Sequence, residues 1–163
     1  MSLPHHPPHS AAATAPSLTL AALSTDESAI LSLARAIFHS FARGHADGYR
    51  HVSAKADRLF PARCVREITV ELLETIDAMR KARRSCFNYS NPDCSHCAQR
   101  LTAEERLFVS VFGALSRGEV SAAHVHALLL CEGNETGPFL ARMYRVARCV
   151  GGAYHRPAGA APV

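Results

Sequence analysis

Tryptophan is absent from this chain, and nowhere does it carry a run of about 18 consecutive apolar residues, so no membrane-spanning helix and no membrane partner are expected. The first 24 residues, MSLPHHPPHSAAATAPSLTLAALS, lack both lysine and arginine and hold little apolar mass before Leu18. A secretory signal needs a basic start and a longer apolar run, so none is expected and the protein reads as cytoplasmic. Valine, isoleucine and threonine are sparse beside alanine, leucine and arginine, a balance that favours helix over strand. Catalytic signatures are missing too: there is no Gly-rich phosphate loop, no H-E-x-x-H and no Ser–His–Asp pattern. The expectation is a protein that binds, not an enzyme. Its excess of positive charge is small, a net +4. Nucleic-acid binders usually show a denser basic face, so a protein partner is favoured and nucleic acid is permitted.

What is present suits one domain: 163 residues can bury a real core but not two comfortable ones. The expected organisation is a flexible Pro-, Ala- and His-containing tail over 1–24, an all-α metal-binding domain over 25–150 and a flexible tail over 151–163. His5, His6 and His9 lie in the first tail, where ordering entropy opposes any metal site.

Five helical segments are predicted. Ser24 with Glu27 three residues on reads as a capping box, opening a helix whose apolar stripe is Ile30, Leu33, Ile37 and Phe41, stopped by Gly44. A loop or short-helix region follows and ends at Pro61. The second long helix repeats Val65, Ile68, Leu72, Ile76 and Met79 at helical spacing, with Arg80, Lys81, Arg83 and Arg84 suited to its C-terminal dipole. Thr102 and Glu105 form a second capping box before Leu107, Phe108, Val111, Phe112 and Leu115. Ser121 is a candidate cap for a fourth helix, and the fifth covers roughly 138–150. Short links imply antiparallel neighbours, hence an all-α, single-domain antiparallel bundle with a cysteine knuckle between the second and third long helices.

The chemistry concentrates in RRSCFNYSNPDCSHCAQR, which holds three of the six cysteines. Cys94 and Cys97 form a C-x-x-C, and Pro92 and Asp93 before it favour a tight turn that lets both sulfurs converge. Cys86 lies one loop upstream. The third and fourth helices form a hairpin that carries Cys131 back toward the knuckle. Cys86, Cys94, Cys97 and Cys131 are therefore the expected ligands of a closed, structural four-thiolate zinc site, with an iron–sulfur cluster as the alternative occupant. Cys64 sits roughly 30 Å from Cys86 along the second helix, and Cys149 lies on a helix running away, so both are expected as small buried apolar residues. His96 inside the knuckle is expected to point outward. His39, His45, His51, His124 and His126 are expected to be solvent-facing or hydrogen-bonded.

A C-x-x-C on a helical scaffold resembles the alkylhydroperoxidase-type disulfide reductases. That family places a histidine of its proton relay four residues after the second cysteine, where this chain has Leu101. The expected role is thus a non-enzymatic regulatory or interaction protein with a structural zinc. The alternative is a thiol or iron–sulfur redox sensor or transcriptional regulator using the same cysteines. Arg80, Lys81, Arg83, Arg84 and Arg100 are the candidate contacts for a partner or for nucleic acid, against the plainer reading of helix-end charge.

Overall fold

The computed structural model describes residues 19–44 and 48–155. The predicted tail residues 1–18, with His5, His6 and His9, together with His45 and residues 156–163, lie outside the described residues. The described chain is all-α. Its helices are α1 (Thr25–Arg43), α2 (Gly48–Leu59), α3 (Ala62–Ala82), α4 (Ser95–Ala98), α5 (Ala103–Ser116), α6 (Val120–Leu130) and α7 (Gly137–His155). Five of these match the predicted segments. α2 and α4 are additional, and α7 runs past the predicted boundary at 150. A 3-10 turn at Leu20–Ala22 lies within the expected tail, and Thr19 bridges to Arg100 while the Leu20 amide donates to the Gln99 carbonyl at 3.0 Å.

Both capping boxes form. The Ser24 hydroxyl accepts from the Glu27 amide and the Glu27 carboxylate accepts from the Ser24 amide, which satisfies two backbone donors that the helix itself leaves open. Thr102 and Glu105 do the same for α5. The predicted Ser121 cap does not occur; Glu119 holds the N-cap position of α6, without a side-chain hydrogen bond. Gly44 ends α1 at φ 59°, a left-handed conformation that glycine adopts without steric cost.

The apolar stripes meet in one core. Ile30, Leu33 and Ile37 of α1 pack with Ile68, Leu72, Ile76 and Met79 of α3, Phe108 and Phe112 of α5, and Phe139, Met143 and Val146 of α7. Phe41 departs from its predicted place: it is half exposed and lies beneath the Arg80 guanidinium, 5.5 Å from ring centroid to charge. α5 packs on α6 and α1 on α2, as short links require. α3, however, packs chiefly on α7, the last helix, rather than on the next long one. Arg142 bridges to Glu71 and Glu74 at 3.5 Å, and Arg145 to Glu71 at 3.7 Å, across that α3–α7 seam.

One ion pair is fully enclosed. Arg35 of α1 and Glu105 of α5 are 3% and 0% exposed, joined by two parallel hydrogen bonds of 2.7 and 2.8 Å. Two further guanidinium donors reach the carbonyls of Ala98 and Arg100 at 2.7 Å each, and Glu105 also accepts the amides of Ser90 and Thr102 at 3.0 and 2.9 Å. Deleting one partner strands a buried charge. Arg35→Met is therefore expected to lower the unfolding free energy by about 3–5 kcal/mol in urea titration. Lys81→Met, which removes the exposed pair with Asp77, should leave the midpoint unchanged within error.

Candidate functional site

Segment 85–102 wraps across α1 and α5 without regular structure except for α4. Phe87 and Tyr89 fix its first half by stacking on Phe38, with ring centroids 4.4 and 5.6 Å apart. Thr102 donates to the Asn88 carbonyl, Asn88 to Glu104, and Ser90 to the Arg100 carbonyl, so this strip lies alongside the entrance to α5. Arg35 then holds its second half from below through the carbonyls of Ala98 and Arg100. The loop is thus pinned at both ends by groups in the core.

Between the pins, residues 91–94 form a tight turn: the Asp93 amide donates to the Asn91 side chain at 2.9 Å and the Cys94 amide to the Asn91 carbonyl at 3.3 Å. That turn sets Cys94 as the N-cap of α4, where its sulfur accepts from the Cys97 amide at 3.3 Å. The two sulfurs of Cys94 and Cys97 stand 2.8 Å apart. The hydrogen bond between the two thiols, with the amides of Cys97 and His96, lowers the Cys94 pKa below the ordinary thiol range. The same bond, with burial, raises Cys97. The two thiols are thus unequal, Cys94 being the one that ionises more readily. His96 is exposed.

Cys86 and Cys131 belong to a second corner. The Arg83 side chain, 6% exposed, stacks over Phe87 at 5.8 Å and donates to the carbonyls of Leu130 and Cys86. Glu132 accepts the Arg84 amide and the Ser85 amide and hydroxyl, which holds its carboxyl below the usual range. The α5–α6 hairpin thus returns residues 130–132 to residues 83–86. Cys131 is fully buried, and burial pushes its thiol up against the opposing effect of Arg83; Cys86 is exposed.

Among the described residues, no three His, Cys, Asp or Glu side chains are grouped to hold a metal ion. A tetrahedral ion about 2.3 Å from each sulfur needs sulfurs roughly 3.8 Å apart and four of them. This arrangement brings together two of the predicted ligands, Cys94 and Cys97, and they stand closer than that. Cys64 and Cys149 are half-buried against the core rather than enclosed, and burial, with the Glu67 carboxylate, pushes the Cys149 thiol up to about 12.

The basic candidates separate as well. α3 ends at Ala82, so Arg83 and Arg84 lie beyond the helix they were expected to close. Arg83 is enclosed, Lys81 bridges to Asp77 at 2.6 Å, and Arg80 covers Phe41. Arg84 and Arg100 remain as exposed side chains.

Sequence reading missed two features of the surroundings. His39 of α1 bonds Asp93, the residue before Cys94, through Nε2 at 3.1 Å, and Tyr89 Oη lies 3.4 Å from its Nδ1. The second is α6, which exposes Val120, Val125, Leu128 and Leu129 although apolar residues dominate its whole circumference. The run LLL and the lack of any charge from Val120 to Cys131 were its signals. Among the described residues, no helix is long and apolar enough to cross a membrane. Comparison with known family models, curated proteins and solved structures yields no match.

The unequal pair has a direct consequence. Iodoacetamide is expected to label Cys94 before Cys97 and to do so below the pH at which an ordinary thiol reacts. In Cys97→Ala the hydrogen bond between the two thiols is lost, and labelling of Cys94 at neutral pH should slow by roughly three- to tenfold, restored by raising the pH. Peptide mapping after timed alkylation reads both effects.

Proposed function

We propose that the protein is a non-enzymatic regulatory or interaction protein whose responsive element is the Cys94–Cys97 dithiol. The observation that carries this reading is the contact between the two sulfurs at the N-terminus of α4, which lowers the pKa of Cys94. Such a pair is built for two-electron oxidation. The Cys94 thiolate attacks a peroxide oxygen, the O–O bond breaks, and a sulfenic acid forms as the alcohol or water leaves. The Cys97 thiol then attacks that sulfur, and the displaced hydroxide takes up the Cys97 proton and leaves as one water, giving a disulfide. The nearby Leu101 leaves the C-x-x-C without the histidine of the alkylhydroperoxidase-type relay, which supports sensing over turnover.

A protein partner fits better than nucleic acid. α6 offers an uncharged apolar face, which complements an apolar protein surface and repels nothing on it. Phosphate contacts need free cations, and of the five basic candidates Arg80, Lys81 and Arg83 are engaged within the chain, which leaves only Arg84 and Arg100.

A second reading has its own support. The hydrogen bonds of Arg83 and Glu132 hold residues 83–86 against 130–132, so Cys86 and Cys131 share a corner of the fold. In that reading all four thiols close around a structural zinc, or hold an iron–sulfur cluster, and the responsive event is loss of the metal.

One experiment separates them. Protein purified without added metal is analysed for zinc and iron, then given one equivalent of hydrogen peroxide and peptide-mapped. The dithiol reading expects no stoichiometric metal and a single Cys94–Cys97 disulfide that forms equally in Cys131→Ser. About one zinc per chain, lost in Cys131→Ser and protecting all four thiols, establishes the four-thiolate site instead. Iron with sulfide and visible absorption points to the cluster.

A further inference from the structure

We infer that the cleft between α1 and α2 is a binding site for a compact phosphate-bearing anion. The cleft has a volume of about 520 Å³, within the range of pockets that take metabolite-sized ligands. Two helical stripes make its walls. Ala36, Ser40 and Arg43 come from α1, and Gly48, His51, Lys55 and Arg58 from α2, each series repeating at one or two turns of helix. Pro92 and Asp93 close one side, just ahead of the cysteine pair.

The charge on these walls is one-sided. Among the described residues, Asp93 is the only acidic one lining the cleft, and it is already matched by Arg43 at 3.4 Å and His39 at 3.1 Å. Lys55 and Arg58 carry two further positive charges, and neither has an ion-pair partner among the described residues. Elsewhere the long basic side chains of α7 find carboxylates across the α3–α7 seam. Here, among the described residues, two cations line a recess that offers them no unpaired carboxylate. A concave wall with low-dielectric sides strengthens the field of such charges at the centre of the recess.

Small groups let a ligand come close. Gly48 faces Ser40 so tightly that a Cβ would collide with the Ser40 hydroxyl, which holds the first turn of α2 against α1 and aligns the two stripes. Ser40 and Ser32 contribute hydroxyls to the lining, while Ala36, Ala54 and Pro92 leave room for a short carbon skeleton. Among the described residues, no aromatic side chain other than His39 and His51 lines the cleft, so none of them selects a nucleobase by stacking across an aromatic face. Paired cations, hydroxyls and a small apolar floor fit a sugar-phosphate- or diphosphate-sized molecule.

This inference stands apart from the redox reading, because Lys55 and Arg58 lie on α2, whereas the cysteine pair sits at α4 and the Arg35 clamp joins α1 to α5. The probe is pyrophosphate, titrated into the full-length protein by calorimetry at constant ionic strength, with chloride alone as the blank. The expected result is one-to-one binding that weakens by about tenfold or more in the double variant Lys55→Gln/Arg58→Gln, since each lost charge-assisted hydrogen bond is worth that order. Lys81→Gln, which removes a basic residue outside the cleft, should bind as the unaltered protein does. Circular dichroism confirms that each variant is folded. No heat at millimolar pyrophosphate, or equal affinity in the folded double variant, overturns the inference.

Discussion

A single enclosed guanidinium organises the half of this molecule that carries chemistry. Arg35 spends two of its five donors on Glu105 and two more on the carbonyls of Ala98 and Arg100, so one side chain of α1 fixes the start of α5 and the end of α4 together. Charge burial of this kind is tolerated only when nearly every donor and acceptor finds a partner, and here Glu105 adds the amides of Ser90 and Thr102 to its list of donors. Glu105 is thereby at once the partner of the arginine, the reciprocal member of a capping box and the anchor of the incoming loop. Few residues in a chain this size carry three such duties.

The thiol pair inherits its geometry from that network. A C-x-x-C in an unrestrained loop samples many sulfur separations. In this protein the loop is stapled on one side by Phe87 and Tyr89 against Phe38, and on the other by Arg35. The intervening turn then has little choice but to deliver Cys94 to the cap position of α4, where backbone amides stabilise its thiolate. Cys131 experiences the opposite environment: fully enclosed, it is held as a neutral thiol. Two sulfurs of the same element type thus acquire opposite chemistry from their surroundings alone.

Local signals in the sequence were legible and long-range ones were not. Ser24–Glu27 and Thr102–Glu105 announce helix starts because capping depends on residues three apart, and both form as read. The stripes of α1 and α3 likewise place Ile30, Leu33, Ile68 and Leu72 in the core. By contrast, Arg35 lies in the apolar run of α1 as an apparent exception, and its partner is 70 residues away. No spacing rule connects them. The preference of α3 for α7 over its neighbour in sequence is hidden for the same reason, although the glutamates of one and the arginines of the other hint at it afterwards. Hairpin geometry carries Cys131 toward Cys97 in the knuckle; hydrogen bonds instead tie residues 130 and 132 to residues 83 and 84 just past α3, and helical rise alone says nothing about which way a side chain turns on arrival. The region of His51, Lys55 and Arg58 reads in the sequence only as a loop or short helix, and nothing local shows that α1 stands opposite it to make a recess.

The hold of Arg35 on the carbonyls of Ala98 and Arg100 has a bearing on motion. Fraying of the cysteine loop cannot proceed by itself, because releasing those carbonyls unravels the environment of an enclosed carboxylate and the first turn of α5 with it. Backbone amides around α4 should therefore exchange with solvent only in the rare openings that disrupt the core, so a segment with almost no regular structure behaves kinetically as part of the molecule's most rigid unit.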